Sequence, residues 1–357
     1  MTNPDSITTH VLQQYGISAL QVQPFGSGLI NHTWRVQDAG HTYILQRVNT
    51  NVFKQPEAIA ANIDLIAAFL RDHDPTYVFV TPVLTTSGSN MVKMDEGYYR
   101  LFPFVAHSHT IDVVITPQQA EEAAKQFGLF TKTLQYFTVH KLNTTIAGFH
   151  DLSWRYQQFE VALQQGNRDR IQSTKQEIAA IEDNKAIVAT YKQLTTAETL
   201  VKRVTHHDTK ISNVLFDEAD KGICVIDLDT VMPGYFISDV GDMMRTYLSP
   251  VSEEENDLAL VDVRDDFFMA IVKGYLTPMA DVLTSTEKEY FVYSGKFMIY
   301  MQALRFLTDY LNNDRYYGAA YEKHNLVRAQ NQLTLLEKLK QKEEAYIGIV
   351  RQFTAGG

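Results

Sequence analysis

The chain has 357 residues, of which 45% are hydrophobic and 21% charged, a composition typical of a globular protein large enough for two domains. The formal net charge of −10 argues against nucleic acid and anionic membranes as partners, because both select basic surfaces. The single cysteine, Cys224, excludes an internal disulfide and a cysteine-rich metal site, and without a leader pattern or a long apolar run the sequence predicts a cytoplasmic location.

The N-terminal region is predicted to be rich in β-structure. A short helix over residues 6–14 comes first, and two alternating runs at 22–36 and 43–48 then predict a β-hairpin. Gly26 and Gly28 lie in its first bend, where the absence of side chains lets backbone N–H groups approach a triphosphate. A tight hairpin without any ligand fits the same pattern.

A cation on the returning strand strengthens the nucleotide hypothesis. Arg47 can hold the α- and β-phosphates, although a solvent-facing arginine on an edge strand fits as well. A helix follows, and Glu57 in its first turn is either the ion-pair partner of Arg47 or an acidic residue favoured there by the helix dipole. Residues 77–80 and 98–102 predict a second hairpin around a turn at 85–89.

These elements predict an α+β fold with two lobes. Residues 1–105 form a small, β-rich nucleotide-binding lobe, and residues 106–357 form a larger, mainly helical lobe. A capping box with proline at the first helical position begins one of its helices at 116–119. His150 and Asp151 indicate either the start of another helix or a contact with substrate.

The segment that carries the chemistry lies at residues 204–229. It contains the pattern His206-x-Asp208-x-x-x-x-Asn213, then two β-rich runs joined by a polar turn, then Asp227. Phosphoryl transfer needs one carboxylate to receive the proton of the attacking hydroxyl, and an asparagine with a second carboxylate to hold Mg²⁺. Asp208, Asn213 and Asp227 fit these roles in that order, because a hairpin would bring its two outer ends together. The alternative is a set of turn and capping residues.

This segment resembles the aminoglycoside phosphotransferase and choline kinase superfamily, a branch of the protein-kinase-like fold. Five strings are similar to the N-acetylhexosamine 1-kinases of bacterial sugar salvage: YILQRVNTNVFK at 43–54, HDTK at 207–210, IDLDTVMPG at 226–234, RFLTDY at 305–310 and HNLVRA at 324–329. The resemblance implies a two-lobed protein-kinase-like fold, ATP as phosphoryl donor, Mg²⁺ as cofactor and an N-acetylated sugar as the small-molecule acceptor.

The resemblance also implies roles for residues outside the central segment. It places an inter-lobe hinge at Phe102, Phe104 and Val105, where backbone groups meet the adenine. It implies that Asp239 and Asp242 brace the catalytic loop, although both also fit plain helix capping.

The sugar site is inferred on the same basis. The resemblance implies that Arg305 faces the sugar, but an ion pair with Asp309, four residues on, fits the helical spacing equally. Tyr247 is expected to offer a stacking face, because sugars favour aromatic walls. Leu29 stands where close relatives often carry a histidine, and this departure weakens the assignment to N-acetylhexosamines.

Two further points stay open in the sequence. Asp229 either joins Asp227 as a metal ligand or only supports it, and His206 is expected to support the catalytic residue. His206, His207 and Asp208 are also a pattern found among the metal ligands of hydrolases.

The first hypothesis is therefore an ATP- and Mg²⁺-dependent kinase of the anomeric hydroxyl of GlcNAc or GalNAc. A kinase of another small alcohol, such as a different sugar, an aminoglycoside or choline, is the first alternative. A metal-dependent hydrolase and a nucleotide-binding protein without catalysis are more distant ones. We expect a monomer or a homodimer.

Overall fold

A computed structural model describes residues 6–26 and 30–354 of the chain. The strands are β1 Gln21–Pro24, β2 His32–Gln37, β3 Thr42–Val48, β4 Val92–Met94, β5 Gly97–Pro103, β6 Arg203–Thr205, β7 Val214–Phe216, β8 Gly222–Val225 and β9 Met232–Gly234. The helices are α1 Ser6–Gln14, α2 Pro56–His73, α3 Pro117–Thr133, α4 Leu152–Gln165, α5 Arg168–Ser173, α6 Lys175–Asp183, α7 Ala186–Thr196, α8 Phe236–Tyr247, α9 Asp265–Met279, α10 Ser285–Glu289, α11 Phe291–Leu311, α12 His324–Gln341 and α13 Glu343–Thr354.

Two compact units divide the chain. The first comprises residues 1–112, 136–147 and 214–233, and the second comprises residues 113–135, 148–213 and 234–357. The first unit contains an antiparallel sheet and the second is predominantly helical, so the predicted α+β fold is confirmed. Among the described residues, no helix combines the length and the apolar character that crossing a membrane requires.

The first unit is built on a five-stranded sheet in the order β1-β2-β3-β5-β4. Val36, Leu45 and Leu101, on its three central strands, are fully buried in one hydrophobic cluster with Val11 and Leu12 of α1. Burying a side chain of this size contributes roughly 1.5–3 kcal/mol, so this face anchors the sheet. Successive residues of a strand point to opposite sides, so the alternate residues of these strands form the opposite face of the sheet, which includes polar side chains.

The first predicted hairpin is confirmed, and the second is wrong in one strand. β5 forms a hairpin with β4, whereas residues 77–80 form no strand. Residues 85–89 do form a turn, closed by a 2.7 Å hydrogen bond from the Thr85 amide to the Ser89 carbonyl. β5 pairs with β3 on one side and with β4 on the other, so the β-rich run at 77–80 has no place beside it.

The hairpin predicted after the catalytic segment is confirmed as β7 and β8. Val214 pairs with Val225, and a register shift occurs between Leu215 and Phe216. Asp217 stabilises the connecting turn, because its Oδ1 accepts hydrogen bonds from the backbone N–H groups two and four residues later.

The second unit is organised around α11, a 21-residue helix that is buried along most of its length. α3 begins with the predicted capping box, in which the Thr116 hydroxyl accepts from the Gln119 amide and the Gln119 side chain accepts from the Thr116 amide. α8 also belongs to this unit and carries two buried aspartates in its first turns.

Candidate active site

A short buried strand, β6, leads into the segment that carries the expected catalytic residues. His206 follows it directly and is fully buried, with its ring edge-on to Phe127 at 5.1 Å between centroids. His207 has a φ of 65°, an uncommon value for a residue other than glycine. A Cβ atom at Gly234 would stand 2.4 Å from Nε2 of His207, so only glycine fits beside this ring. The backbone before Asp208 is therefore tightly constrained.

Asp208 is held by two donors from its own loop. Nζ of Lys210 lies 2.9 Å from Oδ2 of Asp208, and Nδ2 of Asn213 lies 2.9 Å from the same oxygen. Burial opposes ionisation of this carboxyl, but Lys210, His206 and Asn213 outweigh burial and hold its pKa below the ordinary value. Asp208 is therefore ionised at neutral pH.

Asp239 braces this loop from α8. Its two carboxylate oxygens accept hydrogen bonds from the backbone amides of His206, at 3.0 Å, and His207, at 2.7 Å. Burial raises the pKa of Asp239 to about 7, the two amides oppose that shift, and Asp242 and Asp208 add to it. α8 begins at Phe236, so Asp239 is a loop-binding residue within the first turn rather than an N-cap.

Asp242 extends the same support. Its Oδ2 accepts a 2.8 Å hydrogen bond from the Thr209 amide, and its Oδ1 pairs with Arg245, which also binds Glu253 at 2.6 Å. Burial raises the pKa of Asp242, and Arg245 opposes that shift.

The sequence predicts a stacking face at Tyr247, but its ring is fully buried and its hydroxyl donates to the Thr209 carbonyl at 2.6 Å. Tyr247 therefore supports the loop.

Asp227 lies in the first unit, two residues after the end of β8. Its backbone is left-handed, with φ 59° and ψ 63°, as it begins a short 3-10 turn over Leu228–Thr230. Such a conformation costs on the order of 1–3 kcal/mol outside glycine and concentrates at functional sites. Asn213 directly precedes Val214 of β7, and β7 belongs to the same hairpin as β8.

Asp229 is fully engaged by protein groups within the first unit. Its Oδ1 forms a buried salt bridge with Arg100, and its Oδ2 accepts a 2.8 Å hydrogen bond from Nδ2 of Asn31. Oδ1 of Asn31 in turn accepts from the Asn49 amide at 3.0 Å, which ties the segment after the first bend to the end of β3. Of the two roles open to Asp229, these contacts favour the supporting one over metal binding.

Arg100 lies on the polar face of the sheet, whereas Arg47 does not. Gln46 and Arg100 are cross-strand partners, and Oε1 of Gln46 accepts from Nη2 of Arg100 at 2.8 Å. Arg47 pairs across the strands with Tyr99, so it lies on the opposite face. A Cβ atom at Gly97 would lie 3.4 Å from Nε of Arg47, which confirms where that side chain extends.

Only part of the predicted phosphate-binding bend belongs to the described residues. Gly26 has a φ of +80°, a conformation that favours glycine. Gly28 and Leu29 lie outside the described residues.

The predicted hinge spans the end of β5, with Phe102 inside the strand and Phe104 and Val105 after it. The Phe104 amide donates to the Thr42 carbonyl at 3.0 Å, and the Val105 carbonyl accepts from the Ser108 hydroxyl at 2.7 Å. The guanidinium of Arg100 lies over the ring of Phe102, 5.1 Å from its centroid. The backbone after β5 is thus fixed on both sides of Phe104.

Glu57 does not pair with Arg47 in the part of the chain that is described. The pKa of Glu57 is lowered chiefly by a hydrogen bond with the Tyr98 side chain, and Lys93 contributes a smaller effect. The expected ion pair is replaced by a contact between the first turn of α2 and the hairpin of β4 and β5.

Arg305 lies in an aromatic cluster of the second unit. Its guanidinium carbon is 5.4 Å from the ring centroid of Phe149, 5.7 Å from that of Tyr316 and 5.4 Å from that of Tyr317. It donates to Oε1 of Gln302 at 3.1 Å and to the Tyr316 hydroxyl at 3.4 Å. The three aromatic rings and the guanidinium group, which has several N–H donors, form a polar aromatic cluster.

The alternative ion pair between Arg305 and Asp309 is wrong. Asp309 is buried and accepts hydrogen bonds from the backbone amides of Tyr316, at 2.7 Å, and Tyr317, at 2.9 Å. It therefore fixes the loop that carries the two tyrosines and leaves Arg305 without a carboxylate. Asp151 is the N-cap of α4, as the capping alternative predicted.

Two arginines near these sites were not identified from the sequence. Arg100 is 2% exposed although it stands on a strand, and Arg155 on α4 is 6% exposed. The only sequence signal for Arg100 is a charged residue inside the aromatic run of β5, and its partner, Asp229, is 129 residues away. Arg155 follows the Phe149–Asp151 stretch by less than two helical turns, but nothing local reveals its burial.

The alternative metal centre gains no support. Among the described residues, no group of three or more His, Cys, Asp and Glu side chains is arranged to hold a metal ion. His206 packs between aromatic rings, and Nδ1 of His207 lies 3.1 Å from the Thr205 carbonyl.

Comparisons with known proteins agree on one family. The family described as the phosphotransferase enzyme family, APH, matches residues 21–266, more than half of the chain. The fold is similar to an aminoglycoside phosphotransferase from Alicyclobacillus acidocaldarius, with 14% identity and a TM-score of 0.67 over 100% of this chain and 98% of that one. It is also similar to a microcompartment-associated aminopropanol kinase, with 15% identity and a TM-score of 0.67 over 96% and 98%. The choline kinase LicA from Streptococcus pneumoniae gives 11% identity and a TM-score of 0.54 over 93% and 99%. At these identities the structural likeness concerns the fold, and the predicted kinase-like fold is confirmed.

Proposed function

The chain belongs to the phosphotransferase enzyme family, and on that premise we propose that it transfers the γ-phosphoryl group of ATP to a hydroxyl of a small sugar. The preferred reaction is phosphorylation of the anomeric hydroxyl of an N-acetylhexosamine such as GlcNAc or GalNAc. The observation that carries the proposal is the ionised carboxylate of Asp208, held by Lys210 and Asn213 on a loop whose amides are bound by buried aspartates.

Asp208 orients the acceptor hydroxyl and receives its proton as the new O–P bond forms. Its pKa is below the ordinary value, which makes it a weak base. Phosphoryl transfer tolerates a weak base, because its transition state is loose and positioning contributes most of the rate. The amide hydrogen bonds from the loop to Asp239 and Asp242 supply that positioning.

The side-chain types of Asn213 and Asp227 fit Mg²⁺. Asn213 uses its Nδ2 to bind Asp208, which leaves its Oδ1 to bind a cation, and Asp227 supplies a carboxylate from a strained left-handed position. Amide and carboxylate oxygens are the hard ligands that Mg²⁺ takes in kinases. When bound, the ion neutralises charge on the phosphate oxygens. We assign Asn213 and Asp227 as its protein ligands and Asp229 as a supporting residue.

Arg100 is our candidate for the cation that faces the phosphates. It is bound to Asp229, two residues after Asp227, and lies on the polar face of the sheet with Gln46. Arg47 lies on the other face, which makes it the weaker candidate. The Gly26 bend and the backbone at Phe102–Val105 remain the proposed contacts of the nucleotide.

The polar aromatic cluster around Arg305 supports a sugar as the acceptor. Sugars bind through aromatic walls and a few placed donors, and Arg305 supplies several donors among Phe149, Tyr316 and Tyr317. A cationic acceptor such as choline or an aminoglycoside would be repelled by the guanidinium group of Arg305, which already lies among these rings. Asp309, the acidic residue next along α11, is occupied by backbone amides.

Phosphorus NMR of the products tests the proposal. The full chain is incubated with ATP and Mg²⁺ and, in turn, with GlcNAc, GalNAc, neutral hexoses, glucuronate, glucose 6-phosphate, choline and kanamycin, with Asp208→Asn as the control. A sugar 1-phosphate that forms with the native chain and not with the variant is the expected result. Turnover of choline or kanamycin alone would remove the sugar proposal, and absence of acceptor-dependent ADP with every compound would remove the kinase proposal.

A further inference from the structure

Two arginines of the second unit are buried close together without a carboxylate partner. Arg155 on α4 is 6% exposed and Arg305 on α11 is 9% exposed. Arg155 donates to Oε1 of Gln158 and to the Phe149 carbonyl, while Arg305 donates to Gln302 and Tyr316. All of these acceptors are uncharged. Within the described chain, neither guanidinium lies within ion-pair distance of an acidic side chain.

Other buried arginines of this protein do have such partners. Arg100 is paired with Asp229, and Arg203 binds both carboxylate oxygens of Glu287. A buried charge without a counter-charge costs several kcal/mol, which is why buried arginines are usually paired. The cluster of Arg155 and Arg305 therefore departs from the pattern of its own protein.

The donors of this cluster are not all used. Nε of Arg155 and Nε of Arg305 are buried and have no hydrogen-bond partner, and the same is true of Nδ1 of His150. Two acidic side chains of the surrounding elements are already bound: Glu253 by Arg245 and Arg328, and Asp309 by the amides of its loop. Burial, with repulsion from Arg305 adding to it, lowers the pKa of Arg155 to about 10, so Arg155 remains charged at neutral pH.

The cluster adjoins the catalytic loop through stacked rings. The ring of Phe149 stacks on His150 at 4.4 Å, and the ring of His150 lies 5.2 Å from that of His207, the residue before Asp208. On its other side the cluster reaches the surface at Tyr316, which is 62% exposed and within 6.0 Å of both guanidinium carbons. The two arginines therefore lie between the exposed ring of Tyr316 and the rings that lead to the catalytic loop.

We propose that Arg155 and Arg305 bind an anionic group of the acceptor, which is a sugar carrying a carboxylate or a phosphate. This inference rests on the proposed phosphoryl transfer to a sugar, and it differs from the preferred N-acetylhexosamine in requiring a negative charge on that sugar. The planar N–H donors of a guanidinium match the oxygen atoms of a carboxylate or a phosphate in geometry and in charge. Two guanidinium groups supply more donors and more positive charge than an uncharged carbonyl group of a ligand could use. The anion supplies the counter-charge that the fold omits, and the sugar ring lies against the aromatic faces.

Calorimetry on the full chain, saturated with ADP and Mg²⁺, tests this with matched ligands. Glucuronate is compared with glucuronamide, which has the same shape without the charge, and glucose 6-phosphate is compared with glucose. The variants are Arg155→Gln and Arg305→Gln. Arg168→Gln, which removes the same charge from the exposed start of α5, is the control.

We expect one charged ligand to bind at least about 10-fold more tightly than its neutral partner, and which pair shows it identifies the anion. Each variant should lose about 30-fold or more of the affinity for that ligand, with a smaller loss for the neutral one and none for either ligand in Arg168→Gln. Arg155→Lys and Arg305→Lys keep the charge and serve if a glutamine variant unfolds; they should retain part of the preference.

Equal binding of charged and neutral ligands, or binding of neither charged ligand, would overturn the inference. The proposed function fails in a different way. Turnover of GlcNAc without any preference for a charged ligand would remove only the anion site. Charge-selective binding that depends on both arginines, with no sugar phosphorylated, would remove the kinase proposal and leave the anion site in place.

Discussion

Asp208 and Asp239, both at the catalytic loop, differ in pKa because their burial and their hydrogen-bond partners differ. Asp208 is bound by a lysine and an asparagine, and its pKa lies below the ordinary value. Asp239 is more deeply buried and receives only uncharged amides, so its pKa rises to about 7. Asp208 also raises the pKa of Asp239 and of Asp242, because like charges in one buried site oppose ionisation. The loop therefore keeps its charge at Asp208 when it protonates elsewhere.

The raised pKa of Asp239 should make the unfolding free energy of the native chain depend on pH in a way that Asp239→Asn does not. The native pKa of about 7 exceeds the ordinary 3.8, so the stability that Asp239 contributes is full below pH 3.8 and is lost as the pH rises through 7. The difference in unfolding free energy between the native chain and the variant should therefore shrink as the pH rises, with a limiting slope of about 1.4 kcal/mol per pH unit. Urea unfolding at intervals from pH 5 to pH 8 measures it. A difference that stays constant over this range would contradict the assignment.

Arg100 and Arg47 are adjacent on neighbouring strands but should behave differently on substitution. Arg100→Met leaves Asp229 buried without its partner, which should cost about 3–5 kcal/mol of stability. Arg47→Met, on the other face, should cost no more than about 0.5 kcal/mol. Urea midpoints and the KM for ATP are measured for both. A large rise in KM with Arg47→Met alone would return the phosphate role to Arg47.

At the scale of elements, two matched Tyr→Phe variants can separate an effect on stability from an effect on the position of the catalytic loop. Tyr247→Phe removes the hydroxyl that donates to the Thr209 carbonyl, and Tyr300→Phe removes one that donates to the Ile181 carbonyl in the same unit. Both variants should lose about 1–2 kcal/mol, because each leaves a buried carbonyl without its donor. Only Tyr247→Phe should also lower kcat, by several-fold, in steady-state assays. Equal kcat values in the two variants would show that Tyr247 does not position the loop.

The first bend offers a second matched pair. Gly26 and Gly40 both have open space where a Cβ would stand, but only Gly26 has a positive φ. Gly26→Ala should therefore cost about 1–2 kcal/mol and raise the KM for ATP, whereas Gly40→Ala should change neither. Thermal unfolding and ATP titration of the two variants measure this. If the KM for ATP is unchanged in Gly26→Ala, the bend does not bind phosphate.

Elements with local signals were predictable, and pairings across the chain were not. The β7–β8 hairpin follows from two β-rich runs joined by a polar turn that ends in glycine, all within about a dozen residues. Which face of β3 carries function depends on the packing of α1 against Leu45, a contact that no local pattern shows. The sequence therefore indicated Arg47, whereas the polar face carries Arg100.

The candidate site was predictable to a similar degree. Asp208, Asn213 and Asp227 share one motif, so their residue types and spacing were sufficient to propose their roles. The proposed acceptor site, by contrast, combines Arg155 of α4, Arg305 of α11 and Tyr316 of the loop before α12. The burial of Arg155 against Phe149 and Tyr316 is a tertiary property without a periodic signal.

At the scale of the whole molecule, an acidic chain holds its functional cations in isolated places. The net charge of −10 gives the surface a negative field, which opposes the approach of ATP and of any anionic acceptor. Buried arginines such as Arg100 and Arg155 counteract that field locally, where solvent and salt screen them little. Recognition of anions therefore depends on individual buried sites and not on overall charge.

Because a ligand that binds only the native state stabilises the whole chain, unfolding measurements can test the metal ligands without turnover. ATP with Mg²⁺ at about 100 times its Kd should raise the unfolding free energy by about 2.7 kcal/mol, and ATP alone by less. Asp227→Asn should abolish the part that depends on Mg²⁺ and keep the part due to ATP alone, and Asn213→Ala should do the same. Asp95→Asn, which removes the same charge from the exposed β4–β5 turn, should match the native chain. If the Mg²⁺-dependent part survived in Asp227→Asn and disappeared in Asp229→Asn, the metal would be held by Asp229, and the salt bridge of Asp229 with Arg100 would have to open when ATP binds.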